Sequence, residues 1–472
     1  MSIRSLRGNR EINAEQPHMR RTQSRESMSQ RLSRVREAAK QRKKERFTAL
    51  FHLLTAEALE NAFLSLSRKA AAGVDGVRWK DYAENLKVNI ADLHRRLHQG
   101  SYRAQPGRRH YIPKADGKQR PLGIASLEDK IVQYALVKIL NAVYENDFMG
   151  FSYGFRPGRS QHNALDALAT GLVRTNVNWV LDADISQFFD KVSHEWLIRF
   201  IEHRIGDQRV IRLIRKWLTA GTSEEGEWRA SEEGTPQGAV ISPLLANIYL
   251  HYVFDLWAHQ WRRRHATGNV VMVRYADDIV IGFDKRIDAQ CFRIAMQRRL
   301  KEFGLTVHPK KTRLMEFGRF AAENRASRGK GKPETFNFLG FTHISGKDRS
   351  GRFMLIRKTR RDRMTATLKA IKDGLRKRWH YSIPEQGKWL RRVVQGYLNY
   401  HSVPGNYPMM RKFRIYVTDL WRRALRRRSQ QDDTTWTKAN RLAAVWLPKV
   451  RVLHPWPVER FTARHPRQEP GA

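Results

Sequence analysis

The chain has 472 residues with 89 Lys and Arg against 46 Asp and Glu, a formal net charge of +43. So large an excess of one sign repels itself in a compact state unless a polyanion neutralises it, which points to nucleic acid, or failing that an anionic membrane surface; 13 Trp and 21 Phe exclude a merely disordered basic tail. Cys291 is the only cysteine, which excludes an internal disulfide framework and any CxxC zinc site and fits a reducing cytosol, and no apolar run is long enough for a signal peptide or a membrane span.

Residues 1–45 are polar and basic, with Arg20-Arg21 and Gln41-Arg42-Lys43-Lys44. They read as a mobile or helical arm that orders on a partner. From Phe47 onward Leu50, Phe51, Leu54, Ala58, Leu59, Ala62 and Phe63 recur at helical spacing, which predicts an amphipathic helix over 47–66, ending near the Gly73-Val74-Asp75-Gly76 loop. Residues 101–125 predict a basic β-hairpin turning at Ala115-Asp116-Gly117-Lys118, because Asp-Gly favours tight turns. Ser126 with Asp129 three residues on resembles a capping box, and Ile131, Ala135, Ile139 and Val143 give the following helix its apolar stripe. Trp179–Ile185 reads as a strand, 194–218 as helical, and 235–256 as a Thr235-Pro236-Gln237-Gly238 turn followed by a mostly apolar helix. Over 269–283 two β-branched runs flank Tyr275-Ala276-Asp277-Asp278, a hairpin pattern. This order predicts an α+β domain with an antiparallel sheet. Residues 355–430 are helical in character and very basic, and 436–472 hold Trp436, Trp446, Trp456 and five prolines.

Two adjacent acids at a hairpin tip repel one another. A solvated turn tolerates such a pair, since Asp is common in turns. Here, however, Asp182 and Asp184 lie two apart on one predicted strand and therefore share a face. An apolar strand does not present two acids on one face without a cation or solvent. One strand acid with the hairpin pair makes a three-carboxylate cluster, which suits two hard divalent cations clamping an in-line phosphoryl displacement.

These residues resemble a known family. Asp184-Ile185-Ser186-Gln187-Phe188-Phe189-Asp190, the segment 234–243 around Pro236-Gln237-Gly238, and Arg274-Tyr275-Ala276-Asp277-Asp278-Ile279 resemble, in this order, the palm motifs of reverse transcriptases. Segments 73–77, 112–124, 152–160, 304–312 and 338–341 resemble the group II intron branch, and the resemblance spans about residues 60–345. It implies a right-hand polymerase: fingers and palm over 46–345, with an antiparallel palm sheet, after a basic arm (1–45). An α-helical thumb or maturase region (346–430) and a C-terminal tail (431–472) follow.

By the same resemblance Asp184, Asp277 and Asp278 are the catalytic acids. With the Ile185 carbonyl they would bind two Mg²⁺ (Mn²⁺ being an alternative). Asp182 is a second-tier acid, and Asp190 is expected to cap the next helix. Phe189 would exclude a 2′-hydroxyl, Gln237 would contact the incoming nucleotide with Gly238 allowing close approach, and Tyr275 would pack beneath the primer end. Lys114 and Arg120 would grip the triphosphate, and Lys311 would act as general acid toward pyrophosphate. Arg391, Arg392, Tyr397 and Tyr400, around Gly396-Tyr397-Leu398-Asn399-Tyr400, match the RNA-binding thumb, although a helical core seam would use Tyr397 equally well. The implied partners are group II intron RNA, an RNA template with a DNA primer, and dNTPs; no membrane is expected, and the oligomeric state stays open. A bacterial cytoplasmic location follows. Many family members end in an endonuclease domain with paired Cys and His; a single cysteine implies a member without it. The intact acids and Gln237 favour an active RNA-directed DNA polymerase over an RNA-binding splicing factor with an idle site. A domesticated relative serving repair or phage defence stays open, while Phe189 disfavours an RNA polymerase.

Overall fold

The computed structural model describes residues 27–113, 119–224, 226–428 and 434–464. Its strands, in chain order, are β1 (Gly107–Pro113), β2 (Gln119–Ile124), β3 (Trp179–Asp184), β4 (Thr222–Glu224), β5 (Glu227–Arg229), β6 (Val270–Tyr275), β7 (Asp278–Phe283), β8 (Arg313–Glu316), β9 (Phe336–Phe338), β10 (Phe341–Lys347) and β11 (Phe353–Thr359). They form three sheets: β2-β1-β4-β5, β6-β7-β3-β8 and β11-β10-β9. The central sheet β6-β7-β3-β8 is antiparallel throughout, as expected for an α+β fold; β1 pairs β4 in parallel.

The central strands are apolar on both faces, and their alternation divides them between two cores. Leu181, Met272, Ile279 and Ile281 pack with Ile248 and Phe292, which come from the helices Ser242–Leu250 and Arg286–Glu302. Val180, Val271, Val273 and Val280 pack the other way with Leu165 and Leu168 of the helix Gln161–Arg174. A third core, with Leu390, Phe413, Trp421 and Ala443, joins the helices Ile383–His401, Tyr407–Arg426 and Trp436–Trp446.

Several elements differ from the pattern-based expectation. Residues 47–66 form a short 3₁₀ turn (Phe51–Leu53) and then a helix (Ala56–Ser65) capped by Thr55. The break arises because the Leu50 and Phe51 N–H groups both donate to the Asp207 carboxylate at 2.8 Å. Asp207 also caps Gln208–Thr219, which divides the 194–218 segment into two helices. The apolar segment after Gln237 is interrupted by a π turn at His251–Asp255 before continuing as Leu256–Arg264. Strands extend to Thr359, so the helical region begins at Arg361 rather than 355. Within the expected N-terminal arm, Met28–Gln41 is a helix with its own capping box, packed on Leu127–Tyr144. The C-terminal helix Pro457–Arg464 packs on Gln161–Arg174, where Arg460 pairs with Asp166. Ser126 caps Leu127–Tyr144 by accepting from the Asp129 N–H, but the reciprocal half of the expected capping box is not made: the Asp129 carboxylate accepts instead from the Ser126 hydroxyl, the Gln105 N–H and the Tyr102 hydroxyl. Among the described residues no helix is long and apolar enough to cross a membrane.

Candidate active site

The hairpin β6–β7 closes with only Ala276 and Asp277 between its last paired residues, Tyr275 and Asp278. Ala276 has φ +55°, a left-handed conformation that costs a residue with a Cβ. Buried Arg274, inside the apolar strand β6, anchors the turn by donating from Nη1 to the Ala276 carbonyl at 2.9 Å. Its Nε and Nη2 hold Asp255 at 2.7 and 2.6 Å; Asn247 and Ser152 accept from its remaining N–H groups. The π turn places Asp255 there. Gly154 lies so close that a Cβ would stand 2.3 Å from the Ala276 nitrogen, and its carbonyl accepts from Asn247 at 2.7 Å. A charged side chain within an apolar strand run was the signal in the sequence: it demands a buried partner. Nothing in the sequence pointed to Asp255.

Asp184 ends β3 directly opposite Asp278, so Asp184, Asp277 and Asp278 meet at one end of the central sheet. Asp278 stands at the mouth of a cleft, reached by solvent yet walled by protein elsewhere. Lost hydration, then the charges of Asp277, Asp184 and Asp182, push its carboxyl up to about 7. Burial raises Asp277 as well, with Asp184 adding to it. Burial pushes Asp182 up to about 6, opposed by Arg313 and reinforced by Asp184. Lys311 donates from Nζ to Asp184 at 2.7 Å, and that bond raises its own affinity for a proton. The donor chemistry is that of a hard divalent cation: carboxylate oxygens crowded enough to disfavour their joint ionisation. As the side chains stand, with Lys311 on Asp184, no three His, Cys, Asp or Glu groups among the described residues close around a single point.

The cleft has a volume of about 600 Å³. Arg120, Phe189, Tyr275, Asp277, Asp278 and Tyr400 are among its walls. Ile185 is buried and bridges Val307, carrying β3 one residue further. Gln237 accepts from Arg120 Nε at 3.0 Å and donates to Asp190. Gly238 has φ +104°, and a Cβ would stand 3.0 Å from the Gly123 carbonyl. Lys114 lies outside the described residues. Asp190 does not cap the next helix: Ser193 does, accepting from the Trp196 N–H, because the 3₁₀ turn Phe188–Asp190 uses up the intervening residues.

The four expected RNA contacts separate. Tyr397 is buried and stacks on Phe413 at 3.6 Å between centroids, so it is a core residue without a face for a base. Arg391 holds the Val445 and Trp446 carbonyls at 2.8 and 3.2 Å, fastening one helix to another. Arg392 is exposed. Tyr400 lines the cleft and donates to the Leu339 carbonyl at 2.8 Å. The cleft walls also include Arg360 and Arg363, which periodicity had not singled out.

Residues 112–343 match the family model described as reverse transcriptase (RNA-dependent DNA polymerase). Similar proteins include Protein YkfC of Escherichia coli, 43% identical over 206 residues, covering 43% of this chain and 54% of YkfC. The group II intron-encoded protein LtrA of Lactococcus lactis is 37% identical over 223 residues, 47% of this chain and 37% of LtrA. Nuclear intron maturase 2, mitochondrial, of Arabidopsis thaliana is 29% identical over 110 residues, 22% of this chain and 15% of that protein. The chain thus spans about half the length of YkfC and less of the others.

Proposed function

We propose that the chain, whose residues 112–343 match the reverse transcriptase family model and which is similar to a group II intron-encoded protein, is an RNA-directed DNA polymerase of the intron-encoded kind. In this reading it copies intron RNA into cDNA from a DNA primer, and it binds the same RNA to assist splicing and mobility, in a bacterial cytoplasm. The observation that carries the reading is that β3 ends at Asp184 directly opposite Asp278, the first residue of β7, while Asp277 and Asp278 line the cleft. Residues 46–345 then serve as fingers and palm, and the helices from Arg361 onward as thumb.

Asp184, Asp277, Asp278 and the Ile185 carbonyl would hold two Mg²⁺, or Mn²⁺; when bound, these supply the positive charge that polarises the primer 3′-hydroxyl and balances the departing pyrophosphate. The bond formed joins the 3′-oxygen to the α-phosphorus as the hydroxyl proton passes to water; the bond broken is that to the pyrophosphate oxygen. Arg120, with Lys114, grips the triphosphate, the guanidinium matching phosphate bidentately. Gln237 orients the nucleotide, and Phe189 closes the space beneath the sugar. Lys311 holds its proton by its bond to Asp184, and it must leave that carboxylate to protonate pyrophosphate. Arg392 and Tyr400 remain the RNA contacts of the thumb region.

The test is primer extension by the whole chain on a structured RNA template with dNTPs and Mg²⁺. Wild type should give full-length cDNA, and Asp277→Asn should lose more than about 100-fold of it, since even groups that merely support a metal ligand are worth 10–100-fold. RNA binding should persist in the variant. No product from wild type would sink the polymerase and leave the splicing factor.

A further inference from the structure

Two loops meet beside the cleft. The segment after β3 and the segment before the helix Ser242–Leu250 are zipped together: Ser193 bridges Glu233, the Gly234 N–H donates to the Val192 carbonyl at 2.8 Å, and the Thr235 N–H donates to the Phe189 carbonyl at 2.7 Å. On the other side, the Gly123 N–H of β2 donates to the Gln237 carbonyl at 2.6 Å. The Gln237 backbone is therefore fixed between β2 and the Phe188–Asp190 turn, and only its side-chain amide has freedom left.

That freedom is removed by its two neighbours. Gln237 donates to Asp190 Oδ1 and accepts from Arg120 Nε at 3.0 Å. A carboxylate only accepts and a guanidinium only donates, so both neighbours demand the same one of the amide's two flips. A neutral or amide neighbour at 190 would not impose this choice. The bond to Arg120 uses Nε, so the two terminal nitrogens of the fork stay available in a cleft that Arg120 shares with Asp277 and Asp278.

We propose that Asp190 is a positioning residue for nucleotide binding: its carboxylate fixes the Gln237 amide, which holds Arg120 by Nε and aims its terminal nitrogens at the triphosphate of the incoming nucleotide. This rests on the polymerase reading above. Asp190 acts through Gln237 and makes no contact with the nucleotide.

The experiment is single-nucleotide incorporation by the whole chain on a primed RNA template, with KM for dTTP and kcat measured separately. Asp190→Asn should raise KM about tenfold, the factor that corresponds to one hydrogen bond of ~1.4 kcal/mol, with kcat within about twofold. Gln237→Glu alone places a carboxylate against Asp190 and should raise KM by more than about tenfold. In the double variant Asp190→Asn/Gln237→Glu the asparagine donates to the new carboxylate, which still accepts from Arg120, and KM should recover at least about fivefold from Gln237→Glu. A merely structural role for Asp190 would make the two losses add. An unchanged KM for Asp190→Asn beside an active wild type, or additive losses in the double variant, would overturn the assignment while leaving the polymerase standing. An inactive wild type would overturn the polymerase reading, and this inference with it.

Discussion

Arg274 is fully buried in a strand that is otherwise Val, Met and Tyr, and it carries the turn that presents the adjacent acids Asp277 and Asp278. A buried ion pair contributes little net stability, but breaking one side of it leaves an uncompensated charge. Arg274→Met should therefore destabilise the fold by about 3–5 kcal/mol, read from urea denaturation. Arg274→Met with Asp255→Leu should recover most of that stability, because both charges leave together. Synthesis should not return in the double variant, since the Ala276 carbonyl still lacks its donor; recovery of both would show that the turn does not need Arg274. Phe189, half-buried against Phe188 at 5.3 Å between centroids, tests sugar selection. Phe189→Ala should raise ribonucleotide over deoxyribonucleotide incorporation by about 10-fold or more, as expected when a site loses a steric exclusion. Unchanged selectivity would remove Phe189 from that role. That Asp184, Asp277 and Asp278 come to one end of the central sheet was legible because their spacing on strand and turn is local; Phe189 was singled out by the resemblance alone. The burial of Tyr397 was not legible, because a Gly-aromatic motif on a helix looks the same whether that face meets RNA or Phe413.

At the scale of elements, the departures from periodicity have polar causes. The apolar spacing over 47–66 and 194–218 predicts two long helices, and one carboxylate breaks both. Asp207 accepts from the Leu50 and Phe51 N–H groups and caps Gln208–Thr219 through the Arg209 N–H at 3.0 Å. Burial alone would raise its carboxyl, but these three backbone donors bring it below the usual carboxylate range. The folded state thus binds this proton less readily than the unfolded chain, so the stabilisation is present above the unfolded value near 3.8 and is lost as pH falls below it. Asp207→Ala should cost about 2–3 kcal/mol at neutral pH, because it leaves buried N–H groups without an acceptor. A loss under about 0.5 kcal/mol in urea unfolding would mean that these N–H groups find water instead.

For the whole molecule, the charge of +43 makes nucleic-acid affinity steeply salt-dependent, and the interior adds a separate dependence on pH. Burial holds His162 and His343 down to about 3 and His251 and His401 down to about 4. Folded pKa values below the unfolded 6.5 mean that the unfolded chain binds more protons at these histidines, so their contribution to stability is complete above about 6.5 and falls as pH drops, outweighing the opposite and smaller contribution of the raised carboxyls of Asp278 and Asp182. The urea midpoint should be lower at pH 5 than at pH 7.5. His343→Phe, replacing a ring that stacks on Phe336 at 4.7 Å, should shrink that difference; an equal difference in both proteins would exclude His343 as a source. The charge excess, the order of strands and helices, the hairpin at Asp277 and the acids on one face of β3 followed from the sequence alone, because each depends on composition or on neighbours within a few residues. The Asp255–Arg274 anchor, the shared use of Asp207, the burial of Tyr397 and the Arg120–Gln237–Asp190 chain joins residues 19 to 157 positions apart or is set by which faces meet. Only packing decides those, because a polar group's partner is chosen by proximity in space after the apolar faces have closed.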